Sequence, residues 1–127
     1  MKEKDVSIIN KGCRLNGTLD FKGYLIVAGT VEGMLIAETV ITEEGSIIKA
    51  DVTSENLTIA GTFEGNIIVT GILTLLGTSN VRASIQCGNL VVEKGGILNT
   101  SNVRASIQCG NLVVEKGGIL NGRITPP

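Results

Sequence analysis

Apolar and polar residues alternate along this chain with a period of two, and the alternation restarts in the same phase every sixteen to eighteen residues. The segments beginning at Leu15, Val31, Ile48, Phe63, Val81 and Val103 align on this pattern, with starts 16, 17, 15, 18 and 22 residues apart. Their first inward column reads Leu15, Val31, Ile48, Phe63, Val81, Val103. A second is small throughout (Gly17, Gly33, Ala50, Gly65, Ala83, Ala105), and a third reads Leu19, Leu35, Val52, Ile67, Ile85, Ile107. After a short corner the pattern resumes with Leu25, Val40, Leu57, Leu73, Leu90, Leu112 and, two residues on, Val27, Thr42, Ile59, Leu75, Val92, Val114. Strict alternation marks strands with one buried face, and its repetition in register marks a stack of coils. Gly29, Gly45, Gly61, Gly77, Gly95 and Gly117 supply a corner in each coil, where a positive φ is expected. Three strands of four or five residues and three corners fill one coil. The predicted fold is therefore all-β: a parallel β-helix, a triangular solenoid of about six to seven coils.

One segment sharpens this reading. Thr78 to Asn99 recurs letter for letter as Thr100 to Asn121. A close-packed globular core has no room for 22 inserted residues, whereas a solenoid unit touches only its two neighbours and the stack simply lengthens. Old repeats drift, so an unblemished copy marks a recent duplication or an engineered one. If copy stacks on copy, Arg82 meets Arg104, Glu93 meets Glu115 and Lys94 meets Lys116. A coil of this length is expected to bulge near Asn99 to Asn102.

Composition fits pleated strands and tight turns: 17 Gly among 127 residues, two Phe, one Tyr and no Trp. One domain is expected, with the helix over residues 11–124, a flexible N-terminal tail over 1–10 and a C-terminal tail over 125–127. Eleven basic and twelve acidic residues are scattered rather than clustered, which argues against nucleic acid as a partner. No apolar run is long enough for a signal peptide or a membrane span, so a cytoplasmic location is expected. The three cysteines lack zinc-type spacing. Cys87 and Cys109, one position in two copies, read as buried reduced thiols acting as small hydrophobes. Stacked one coil apart they could bind a soft metal or be oxidised, although the pair exists only because of the duplication.

Catalysis finds no footing. Acyltransferases on β-helical rods rely on a His base and γ-class carbonic anhydrases on three His zinc ligands, and this chain has no His. The hexapeptide repeat of left-handed acyltransferase helices is also missing, which favours the right-handed form. Asp20, Glu32, Glu43, Glu44 and Glu64 fall at outward or corner positions and read as a solvated face. No phosphate-binding GxxxxGK[ST] or GxGxxG motif occurs. No enzyme, no cofactor and no metal is expected.

The opening SIINKGCRLNGTLDFKGYLIVAGTVEG (Ser7 to Gly33), the central LTIAGTFEGNIIV (Leu57 to Val69) and the closing NLVVEKGGILNG (Asn111 to Gly122) resemble the bactofilins, a family of bacterial cytoskeletal proteins. The resemblance runs from Ser7 to Ile124. It implies a right-handed triangular β-helix and non-polar, nucleotide-independent filaments in which rods join head to head and tail to tail. It also implies a scaffold for cell-wall or shape-determining proteins, in some members at the inner face of the cytoplasmic membrane. Two features depart from the family pattern: the second 22-residue copy adds a coil, and Leu120 stands where a Phe is frequent near the C-terminal end.

Elementary physics points the same way, because both ends of a β-helix present unpaired edges and open core columns. The expected self-assembly residues are Leu15, Leu19, Phe21 and Leu25 at the N-terminal end and Leu112, Ile119, Leu120 and Ile124 at the C-terminal end. Val6, Ile8 and Ile9 are the candidates for a weak membrane contact, set among the mixed charges of Lys2, Glu3, Lys4 and Asp5. The competing expectation is a non-polymerising β-helix that presents its faces to a protein partner.

Overall fold

The computed structural model describes residues 6–100 and 106–125. These form a parallel β-helix of about seven turns without any helix among the described residues. In each early turn a strand of seven or eight residues is followed by one of four: β2 (Arg14–Asp20) and β3 (Tyr24–Val27), β4 (Thr30–Ile36) and β5 (Thr39–Thr42), β6 (Ile47–Ser54) and β7 (Asn56–Ile59). Later the two run together as β8 (Thr62–Leu75) and β9 (Asn80–Val92). β10 (Ile97–Asn99), β11 (Ser106–Val114), β12 (Ile119–Asn121) and β13 (Arg123–Thr125) complete the stack, and β1 (Val6–Ile9) precedes it. Every pairing is parallel, with each strand on its counterpart one turn away.

The long strands explain how two observed strands make three sides. Gly17, Gly33 and Gly65 lie fourth in their strands with φ of 130°, 117° and 143°, whereas Ala50 and Ala83 hold the same place in β6 and β9 without a positive φ. A Cβ on Gly33 would strike the carbonyl oxygen of Gly17, and one on Gly65 that of Ala50. The small column is thus set by carbonyls of the turn below, besides the narrow interior.

The corners alternate in kind. Cys13 N donates to Asn10 O (3.0 Å), and Ser46, Ser79, Gly96 and Gly118 donate in the same way to Glu43, Leu76, Glu93 and Glu115 (2.8–3.1 Å). In four of these five turns the third residue is a glycine with φ of 89–94° (Gly12, Gly45, Gly95, Gly117), the requirement of a type II turn. Gly29 and Gly61 occupy shorter corners without positive φ. They are glycine because a Cβ would lie 2.5 Å from Cys13 O or Ser46 O, on the turn beneath. The expectation of positive φ therefore holds at Gly45, Gly95 and Gly117 and fails at Gly29, Gly61 and Gly77.

Stacking of the last turns differs from a copy-on-copy alignment. Leu98 stacks on Val81 and Leu120 on Leu98, while Ile107 stacks on Ile85 and Ile124 on Ile107. The first column after Val81 is held by fully buried Leu98, 17 residues on, instead of Val103, which lies outside the described residues with Arg104 and Ala105. Arg82 accordingly pairs with Asn99. From Leu98 to Ile107 is nine residues where Val81 to Ile85 is four, so the 22-residue unit is a 17-residue turn plus five. Beyond Ser106 the copies do stack in register, Asn111 Nδ2 donating to Asn89 Oδ1 (2.7 Å) and Asn121 Nδ2 to Asn99 Oδ1 (3.1 Å).

The core is one axial column set. Leu25, Leu35, Ile48, Leu57, Phe63, Leu73 and Leu90 are all less than 2% exposed. Thr42, the polar member of its column, is buried and its Oγ1 accepts from Ala60 N (3.0 Å). Residues 6–9, expected within a flexible tail, instead form β1, paired with β3 from Val6↔Tyr24 to Ile9↔Val27.

Replacing Gly65 by Ala combines a disallowed φ with a backbone clash and is expected to cost about 2 kcal/mol or more, whereas Ala83→Gly costs about 0.5–1 kcal/mol. Chemical denaturation of the two variants checks the order. Deleting residues 100–121 joins Asn99 to Gly122 and regenerates the Leu-Asn-Gly phrase of Leu15 to Gly17. The shortened chain is expected to keep its β-sheet circular dichroism and cooperative melting while losing one turn, about 4.8 Å of rod.

Candidate self-assembly ends and faces

At each end of the rod terminal members of the core columns are partly exposed, although Ile9, last in its column, is only 4% exposed. At the N-terminal end the edge strand β2 places Leu15 and Leu19, with Phe21 just beyond it, partly buried against the core. Among the described residues nothing stacks beneath them. Leu25 is different. It is fully buried because β1 covers it, with Ser7 in register, so it does not belong to the open end.

At the C-terminal end Leu112 and Leu120 are likewise partly buried against the core, and Ile124 is 48% exposed above Ile107, which is fully buried. Ile119 is 46% exposed for another reason: it continues the outward column of Asn80 and Ile97 and points away from the core stack. Val114 was missed as a site residue. It sits above fully buried Val92, yet is 41% exposed because no described residue covers it. The signal was present in the inward column that ends with Val114; it was overlooked because its place in the stack, rather than its residue type, decides its exposure.

The two ends carry one phrase. Leu15-Asn16-Gly17-Thr18-Leu19 closes one end and Leu120-Asn121-Gly122-Arg123-Ile124 the other, with Gly17 and Gly122 at φ of 130° and 143°. Around Gly17 strand β2 is nearly self-complementary: Arg14 mirrors Asp20, Leu15 mirrors Leu19 and Asn16 mirrors Thr18.

Along one side, the outward column Ile8, Ile26, Ile41, Thr58, Thr74, Val91, Val113 runs the length of the rod, wholly β-branched and uncharged. Of the membrane candidates, Val6 and Ile8 are more than half exposed, and Ile8 begins this stripe. Ile9 points inward and is 4% exposed, which removes it from any surface contact. On another side a shallow groove of mixed character is lined by exposed Met34 and Ile68 beside Asp51, Asn66, Ser84 and Gln86, with Asn66 Nδ2 donating to Asp51 Oδ1 (2.8 Å). Among the described residues no group of three or more His, Cys, Asp or Glu is placed to hold a metal, and no helix is long and apolar enough to cross a membrane.

The family model of Bactofilin, described as polymer-forming cytoskeletal, matches residues 7–101. The chain belongs to the bactofilin family. Bactofilin BacO of Myxococcus xanthus (strain DK1622) is 24% identical over 90 residues, covering 70% of this chain and 71% of that protein. No solved structure matches. The family is structural and cytoskeletal rather than enzymatic, and its polymer-forming character implies self-association. The match ends at the start of the second copy, so the added turn of this bactofilin lies almost wholly beyond it.

The three thiols are free, Cys13 exposed and the other two buried. Burial, together with the neighbouring Cys109, pushes the Cys87 thiol up to about 12, and burial also raises that of Cys109. A raised thiol stays neutral and unreactive until the pH approaches its pKa. A disulfide reagent at pH 8 is therefore expected to modify the exposed Cys13 first and the buried Cys87 far more slowly, with the Cys87 rate climbing as pH rises. Mass spectrometry of the modified peptides over pH 8–10 reads the rates.

Proposed function

We propose that this bactofilin polymerises end to end without nucleotide, its rods joined head to head and tail to tail into non-polar filaments. The filaments serve in the cytoplasm as scaffolds for cell-shape or cell-wall proteins. The observation that carries the reading is the pair of unpaired ends, each a strand edge flanked by apolar side chains: Leu15, Leu19 and Phe21 at one, Leu112, Val114, Leu120 and Ile124 at the other. The self-complementary charge of β2 favours a two-fold contact at the N-terminal end. Two antiparallel copies meeting about Gly17 place each Arg14 against the Asp20 of the second copy and each Leu15 against a Leu19. Two-fold contacts alternating at the two ends extend the polymer without giving it a direction. Apolar burial supplies the attraction and the charge pairs fix the register.

The inner face of the cytoplasmic membrane is a secondary location on this reading. Val6 and Ile8 offer little area per rod, and a filament multiplies a weak contact through avidity. A non-polymerising module that binds a protein partner is the second reading, favoured by the mixed polar and apolar groove around Asn66, Ser84 and Ile68.

Negative-stain electron microscopy with analytical ultracentrifugation, both without nucleotide, tests the proposal. The wild-type chain is expected to form filaments. Asp20→Lys sets like charges opposite one another and is expected to stop growth at pairs joined by their C-terminal ends. The double exchange Arg14→Asp with Asp20→Arg restores filaments. Leu120→Glu is expected to stop growth at pairs joined by their N-terminal ends. Single particles of the wild-type chain at every concentration, or filaments indifferent to both Asp20→Lys and Leu120→Glu, would sink the reading.

A further inference from the structure

In-register stacking brings together two side chains that no part of the polymer reading uses. Cys87 and Cys109 are direct partners on β9 and β11, both 8% exposed. Val69 is the next residue down the column. Each cysteine is followed by a glycine at the corner, Gly88 and Gly110, so no side chain shields the thiols on that side. Both glycines press on carbonyls of the turn below: a Cβ would lie 2.9 Å from Gly71 O at the first and from Gly88 O at the second. The residues outward of the thiols are the neutral Gln86 and Gln108, themselves in register.

We propose that the Cys87–Cys109 pair is a two-coordinate site for a soft monovalent d10 cation, Cu(I) or Ag(I). Three features fit it. Thiolate ligands select soft ions, and Cu(I) and Ag(I) accept linear coordination by two sulfurs, whereas structural zinc needs four ligands. The cysteines are in-register partners on neighbouring strands, whose separation of about 4.7–4.9 Å leaves room for one cation between two sulfurs. The flanking Gln86 and Gln108 are neutral, so the bound cation offsets one of the two thiolate charges that binding creates. On binding, both S–H bonds break, the two protons leave to solvent and two sulfur–metal bonds form. The site then carries one net negative charge for a monovalent ion, and no oxidant or reductant takes part. Binding tightens as pH rises, because each thiol must surrender its proton.

The test uses the whole chain with Cys13→Ser, which removes the exposed thiol, under anaerobic conditions. Cu(I) buffered by a weaker chelator, and Ag(I) in a parallel series, are titrated while the ultraviolet thiolate-to-metal band and the melting temperature are followed. The expected result is one metal per chain, release of two protons, a raised melting temperature and X-ray absorption showing two sulfur neighbours. Cys87→Ser and Cys109→Ser, each close in size to the residue replaced, are each expected to weaken binding by more than the roughly 10–100-fold that loss of an outer-shell partner costs. Circular dichroism confirms that these variants fold; Cys87→Ala and Cys109→Ala repeat the measurement if either serine variant does not. The proposal is overturned by binding that survives loss of either thiol, by a stoichiometry independent of the pair, or by a 2 Da mass loss showing that the thiols became a disulfide. Filament formation is read separately and does not enter the result.

Discussion

Everything in this molecule depends on the parallel hydrogen-bond ladder that sets each residue on a counterpart one turn away. Strand separation of about 4.8 Å leaves no slack, so every column must be filled by side chains that tolerate the same neighbour repeatedly. Leu, Ile and Val stack in the interior, Thr42 survives there by accepting a bond from Ala60 N, and Gly33 and Gly65 yield to the carbonyls of the turn below. Corners obey the same rule. A four-residue turn at Asn10–Cys13 or Glu43–Ser46 demands a glycine of positive φ, and the short corner laid over it demands Gly29 or Gly61 for want of space.

The ladder also explains which parts of the fold were legible in the sequence. Period-two alternation is a local property of strands, so the inward columns from Leu15 to Val92 read correctly without any knowledge of contacts. Register across a duplication is not local. Two identical segments invite alignment of Val81 with Val103, yet Leu98 arrives five residues earlier and completes a 17-residue turn. Likewise Ser7 and Ile9 are too short a segment to declare a column, and only pairing with Leu25 and Val27 reveals them as one.

The candidate site was legible to a lesser degree for a related reason. An end is defined by what is missing above or below a residue, and composition does not encode that. Leu15, Leu19, Phe21, Leu112, Leu120 and Ile124 lie at the ends of the stack, partly buried or exposed. Leu25 and Ile9 are covered, Ile119 faces outward, and Val114 differs from fully buried Val92 only in being last. The phrase shared by Leu15 to Leu19 and Leu120 to Ile124 was in plain view in the sequence, but its meaning depends on both copies closing an end.

The direction of the ladder has a mechanical consequence. Inter-turn hydrogen bonds run along the rod axis, so tension on a filament loads all the bonds of a turn at once, side by side, rather than peeling them one at a time. A turn gives way only when its whole set yields, together with the interlocked core columns. In the proposed polymer a junction between rods would have a single layer of contacts and no covalent thread across it. Under load such a polymer would break at its seams and leave each rod intact, a stiff material that fails cleanly and can be rejoined from undamaged pieces.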